Sequence, residues 1–170
     1  MRKHLSAATL LLSLATAMVG SVPATAQANS ADRNAIQALY KNFTDAFNKK
    51  DANAIMAFYS HDTFVFDIVP PRQYDGWDAY KKDWDDTFAM LPGPASTTVT
   101  DLNITVAGPV AYTHYIVDGT VTDKEGKQKH LVVRSTDVLR KEKGKWLIVL
   151  EHNSFPVDLA TGQADMLSKP

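Results

Sequence analysis

Apolar residues return every three or four positions between Ile36 and Phe47. Ile36, Leu39, Tyr40, Phe43, Ala46 and Phe47 form one stripe about three turns long. That period predicts a helix packed on one side, with Ser30 or Asp32 placed to cap its start. Asn48-Lys49-Lys50-Asp51 breaks the stripe, and Asp51 can cap a short second helix carrying Ile55, Met56, Phe58 and Tyr59. The pattern then changes. Thr63 to Asp67 is β-branched and aromatic and too short for a helix, which predicts a strand. Pro70-Pro71 stops it. Asp75-Gly76 turns the chain into a third helix with Trp77, Tyr80, Trp84, Phe88 and Leu91 on one side.

Pro92-Gly93-Pro94 ends the helical half. Beyond it, Leu102, Ile104 and Val106 alternate with Asp101, Asn103 and Thr105, the period of a half-buried strand. Gly108-Pro109, Asp123 to Gly126 and Glu142-Lys143-Gly144 separate this strand from three more, over 110–121, 130–140 and 146–155. Regularly spaced turns predict a meander of long hairpins. Helices segregated from an antiparallel sheet define an α+β class. A twisted sheet wrapped on a long helix leaves a hollow at one end, the place for a small molecule.

The 170 residues suffice for one domain. Residues 1–28 are expected to lie outside it. Arg2 and Lys3 precede a short apolar run, Leu10 to Val19, and then small residues up to Ala26-Gln27-Ala28. This is the pattern of a cleaved secretory leader, too short to span a membrane, and it predicts export to the periplasm or medium. The domain is then 29–170, with 16 basic against 19 acidic side chains once Arg2 and Lys3 are gone. So weak a charge gives no footprint for nucleic acid or an anionic membrane. With no Cys in the chain, the core has no disulfides to help it and thiol chemistry is excluded.

Several polar positions stand out. Asp67, flanked by Phe66 and Ile68, would be poorly solvated if it faced inward, which raises a carboxyl pKa and suits it to accept a proton. Asp137 lies mid-strand and shares a face with Val133 and Ser135, opposite Arg134 and Thr136. On the last strand Val149, Glu151 and Asn153 share one face, and Trp146, Ile148, His152 and Ser154 the other. On the long central strand Tyr112, His114, Ile116 and Asp118 share a face. Tyr40, Phe43 and Trp84 are expected in the cavity wall. No His-Glu-x-x-His spacing, glycine-rich phosphate loop or Gly-x-Ser-x-Gly elbow occurs, so no metal, cofactor or serine nucleophile is expected.

Phe47-Asn48-Lys49-Lys50-Asp51, Tyr59-Ser60-His61-Asp62, Phe66-Asp67-Ile68-Val69-Pro70-Pro71 and Thr136-Asp137-Val138-Leu139-Arg140 before Gly144-Lys145-Trp146 resemble one superfamily. It is the nuclear-transport-factor-2-like superfamily, in its SnoaL-like, ketosteroid-isomerase-homologue branch. The ending Glu151 to Gly162 resembles one exported or bacterial subgroup of it. The resemblance implies a cone: a curved antiparallel sheet packed on three N-terminal helices around one pocket. It further implies Asp67 as a proton-abstracting base and Asp137 as a neutral carboxylic acid, with the hydroxyl-bearing tyrosine position falling on Phe43. In that register Val149, Glu151, Asn153, His114, Ile116 and Asp118 turn inward, a lining more polar than a steroid needs, while His152 and Arg134 face away toward a second subunit. The activity implied is proton transfer next to a carbonyl, of isomerase or lyase type. A non-catalytic binding module of the same fold is the alternative, and a homodimer through the convex sheet face is expected.

Overall fold

The computed structural model describes residues 24–168. The expected leader, 1–28, lies almost wholly outside them. The apolar stripe is the inner face of α1 (Ala24–Asn48), where Ile36, Leu39, Tyr40 and Ala46 are buried. Because α1 runs through Ser30 and Asp32, neither caps it. Asp32 accepts instead from Lys141 Nζ at 2.6 Å and Trp146 Nε1 at 3.0 Å, tying the helix to the last hairpin. Asp51 does cap α2 (Ala52–Met56), its Oδ1 accepting from Ala54 N at 2.9 Å. Tyr59, expected on that helix, begins β1 (Tyr59–Phe66) instead. The two-residue β2 (Tyr74–Asp75), which the pattern did not reveal, pairs with β1 and leads into α3 (Trp77–Met90).

The meander is β3 (Ser96–Ala107), β4 (Val110–Thr122), β5 (Gln128–Glu142) and β6 (Lys145–Ser154). The sheet runs β2-β1-β6-β5-β4-β3. All its pairs are antiparallel except one: β6 lies parallel to β1, so the expected antiparallel sheet is a mixed one. A parallel pair needs a long connection, and here α3 with three hairpin strands supplies it. The sheet is curved and unclosed, and three helices accompany its six strands, as an α+β cone requires.

Two local features shape the concave face. At Gly119 an added Cβ would stand 2.5 Å from the Ser96 carbonyl oxygen and 2.6 Å from Thr97 Cα, so only glycine lets β3 start so close to β4. Asn48 at the end of α1 holds the same spot, donating to Thr97 O at 3.1 Å and accepting from Thr97 N at 2.9 Å. On β6, Leu150 pairs with Val138 and Ile148 with Leu139, which leaves Val149 as a bulge. The bulge resets the alternation. Trp146 and Ile148 before it and Glu151 after it are all buried on the same side.

Candidate functional site

Between the concave face, α1 and α3 lies a cavity of about 200 Å³. Phe43 and Phe47 from α1, Trp84 from α3, Val117 and Val121 from β4 and Val133 from β5 make its walls mostly apolar. Phe43 and Phe47 both meet Trp84 edge-on, with ring centroids 5.9 and 5.7 Å apart. The lining is therefore less polar than the strand alternation suggests.

Carboxyl groups gather at one end, where Asp67, Glu151, Asn153 and Ser135 line the cavity. Asn153 Nδ2 donates to Asp67 Oδ1 at 3.4 Å and, more closely, to Glu151 Oε1. Ser135 Oγ donates to Asn153 Oδ1 at 2.6 Å, which fixes which end of the amide faces the two acids. One amide thus spaces two carboxyls.

Asp67 sits half-buried just past the end of β1, its Oδ1 also taking a hydrogen bond from Ile68 N at 2.6 Å. Burial, then the nearby Glu151 charge, pushes its pKa up to about 7; the Ile68 bond works against this and Asp83 adds to it. Glu151 is buried and accepts from the Tyr59 hydroxyl and, at 3.0 Å, from Tyr80. Burial, then the adjacent Asp137, pushes Glu151 up to about 8 against the pull of those donors.

Asp137 lies directly opposite Glu151 in the β5–β6 register. Two like charges facing one another across an antiparallel pair repel. Tyr40 donates to Asp137 Oδ2 at 2.6 Å and Tyr115 at 3.1 Å, yet burial outweighs both and raises its pKa to about 7. Its Oδ1 is buried without a protein partner among the described residues. Burial also holds the four hydroxyls of Tyr40, Tyr59, Tyr80 and Tyr115 well above the usual tyrosine range, so they serve as donors throughout the neutral range.

The structure places the expected residues unequally. Asp67, Phe43, Trp84, Glu151 and Asn153 line the cavity. Asp137 and Tyr40 lie beneath its floor, fully buried and bonded to one another, not in its wall. Val149 is displaced from the lining by its own bulge. His114 and Asp118 are on the opposite face of the sheet, because Thr113, Tyr115, Val117 and Gly119 take the inner positions of β4. There Asp118 bonds His130 Nε2 at 2.7 Å. Ile116, expected inward with them, and Arg134 share an outer depression with Asp118. His152 is exposed, its ring against Phe66 at 5.6 Å. Among the described residues no group of three His, Asp or Glu side chains is placed to hold a metal ion.

The sequence pattern does not mark Asp83 and Tyr59 as site residues. Tyr59 continues the apolar pattern of the second helix, and Asp83 is hidden in an acidic run with Asp85 and Asp86. Its one distinguishing mark is helical phase: it lies three residues after the buried Tyr80 and four before the cavity residue Thr87.

Residues 36–158 match the family model of the SnoaL-like domain. No curated protein matches the chain. Among solved structures, a nuclear-transport-factor-2-like protein of unknown function from Pseudomonas putida is 27% identical, over 83% of this chain and 98% of that one, with a TM-score of 0.76. A ketosteroid isomerase-like protein from Erwinia carotovora atroseptica is 21% identical over 71% and 93%, with a TM-score of 0.63. A nuclear-transport-factor-2-like superfamily protein from Salmonella enterica serovar Typhimurium is 20% identical over 81% and 99%, with a TM-score of 0.69. At those identities the last two speak for the fold alone. With a family model matched over most of its length and a sheet and helices superposing on these structures, the chain belongs to the SnoaL-like domain family of the nuclear-transport-factor-2-like superfamily.

Proposed function

We propose that this protein binds a compact, ring-containing carbonyl compound and transfers a proton next to the carbonyl, with Asp67 as the base. One observation carries the proposal. A cavity with otherwise mostly apolar walls ends in two carboxyls of raised pKa, Asp67 and Glu151, held side by side by Asn153. A base titrating near neutrality is matched to its task. The carbon–hydrogen bond breaks, the proton goes to Asp67, and the electron pair moves to the carbonyl oxygen. Glu151, still protonated at neutral pH, donates to that oxygen as charge develops. Return of the proton to the same carbon gives exchange, and to another gives isomerisation.

Size argues for one or two rings. A cavity of about 200 Å³ exceeds the roughly 150 Å³ that accepts benzene and falls short of drug-sized pockets. The test is deuterium incorporation from D₂O into 1-tetralone and cyclohexanone, read by NMR. The parent should exceed buffer, and Asp67→Asn should lose roughly 100-fold or more of that excess. No acceleration with either ketone, or an undiminished rate in the variant, would refute the role of Asp67.

A second reading has its own support: Phe43 lines the cavity without a hydroxyl, and the hydroxyls of Tyr40, Tyr59, Tyr80 and Tyr115 are committed to Asp137 and Glu151. The same cavity then serves binding alone, and Asp67→Asn would keep its ligands. The leader-like residues 1–28 support action outside the cytoplasm. Exposed Val110 and Tyr112 on β4 support pairing of two copies through the outer sheet face, which light-scattering mass would check.

A further inference from the structure

The segment that follows β1 carries three residues of the cavity wall, Asp67, Ile68 and Val69, before the chain returns through Pro70 and Pro71 to β2. Its own backbone does little to hold it. The two prolines have no N–H to give, and among the described residues no backbone hydrogen bond of a turn or loop reaches 68–72. Ile68 N bonds the carboxyl of its own neighbour, Asp67. The loop is tied to the sheet at the Pro70 carbonyl oxygen, 2.8 Å from the hydroxyl of Tyr74. Tyr74 is a firm anchor: it is buried and pairs with Val65 in the β1–β2 ladder.

The same hydroxyl lies 2.6 Å from Asp83 Oδ1 on α3. Both separations are those of full O–H···O bonds. Yet the hydroxyl has one proton, and a carbonyl oxygen and an ionised carboxylate can only accept. Three oxygens in a row therefore need two protons. With Asp83 ionised, Tyr74 donates to Asp83, and the Pro70 oxygen faces a lone pair. With Asp83 protonated on Oδ1, Asp83 donates to Tyr74, Tyr74 donates to Pro70, and both contacts hold a hydrogen. Asp83 is only 8% exposed, and burial raises its pKa, so the protonated form persists above the ordinary carboxylate range.

We propose that Asp83 and Tyr74 are positioning residues that pin the Asp67 loop through the chain Asp83 O–H to Tyr74 O–H to Pro70 C=O, and that loss of the Asp83 proton releases the loop. The device goes beyond the proton-transfer reading, because it fixes the same stretch of wall whether the cavity catalyses or only binds. In the release step the proton leaves Asp83 for solvent, and Tyr74 turns its own proton from Pro70 to the new carboxylate. The titratable and charged groups around Asp83 are Tyr74 on β2, Asp67 just past β1, and Tyr80, Lys82 and Asp86 on α3; α2 contributes none. Lys82 is bonded to Asp86, so the adjacent cation is already engaged.

The test needs no substrate. Backbone ¹⁵N order parameters of Ile68, Val69 and Arg72 are measured by NMR from pH 4 to 9 in the parent, Tyr74→Phe, Asp83→Asn and Asp67→Asn, each first shown to be folded by circular dichroism. In the parent the loop should be rigid in acid, near about 0.85, and fall toward about 0.6 as Asp83 ionises, an ionisation followed by its carboxyl ¹³C shift. Tyr74→Phe, without the hydroxyl, should be mobile at every pH. Asp83→Asn, whose amide N–H stands in for the carboxylic O–H, should stay rigid at every pH. Asp67→Asn should keep the parent's fall, which separates the pin from the titration of Asp67 itself. Should Asp83→Asn fail to fold, the parent and Tyr74→Phe decide. A parent loop equally ordered at both ends of the range, a Tyr74→Phe loop as ordered in acid as the parent's, or a surviving fall in folded Asp83→Asn would each overturn the pin, as would its disappearance in Asp67→Asn. Because no ligand is present, these results can fail while ketone exchange succeeds, or hold while it fails.

Discussion

Replacing Asp137 by Asn should invert the stability order of the two proteins as pH rises. Asp137 is fully buried, and its pKa is about 7 folded against 3.8 for an unperturbed Asp. Between those values the folded protein keeps a proton that the unfolded chain has released. Stability therefore falls as pH rises through this window, by up to about 1.4 kcal/mol per pH unit for one group, or about 4 kcal/mol across it. Below about pH 4 both states are protonated and the slope vanishes; above about 7 both are ionised and it vanishes again. Asn has no such dependence. Its amide puts an extra N–H where Asp137 Oδ1 finds no partner, costing about 1–3 kcal/mol in acid. The variant should thus be less stable near pH 4 and more stable near pH 8, with the crossing between. Urea unfolding at half-unit pH steps measures the difference directly. A difference that stays constant from pH 4 to 8 would show that Asp137 ionises without penalty, and the picture of a charge-poor floor would be wrong. Glu151 supplies a second check: its raised pKa is due in part to Asp137, so its ¹³C midpoint should fall in the variant.

Other perturbations separate the parts of the site. Ser135→Ala removes the hydroxyl that orients Asn153 and should cost about 1 kcal/mol in urea unfolding; the freed amide should also weaken ketone exchange, with the larger effect on kcat. Gly119→Ala places a Cβ against the β3 backbone and should destabilise by about 1–3 kcal/mol; a thermal midpoint equal to the parent's would mean β3 can move aside. Asp67→Asn should abolish the neutral limb of the pH profile of ketone exchange, which follows ionisation of a group near pH 7.

The helical half was legible because packing there follows a simple period. Ile36 to Phe47 and Tyr80 to Phe88 form continuous faces, and Asp51 has only one helix to cap. The sheet was harder to orient. On β4 the polar positions His114 and Asp118 looked like pocket groups, yet the inner row is Thr113, Tyr115, Val117 and Gly119. A glycine in the middle of a strand was the available clue, since it marks a close backbone approach. On β6 no parity argument could place Ile148 and Glu151 on one side, because a bulge depends on pairing with β5 and leaves no mark in one strand's own sequence. The acid cluster joins Asp67, Asp83, Asp137 and Glu151 from three strands or strand ends and a helix, so residue types alone named some members and missed Asp83.

The seam between β1 and β6 has a consequence for how the molecule comes into being. Phe58 O receives Ile148 N at 2.8 Å, and Val65 is paired with Glu151, so early and late segments meet there. A growing polypeptide emerging from the ribosome can build its aromatic helices early, but it cannot assemble the proton-handling end until β6 has arrived. Closing so long a loop places such topologies among slower folders. A chain truncated before Lys145 would keep the greasy walls without the Glu151 and Asn153 that finish the site, presenting a sticky half-cone instead of a working one.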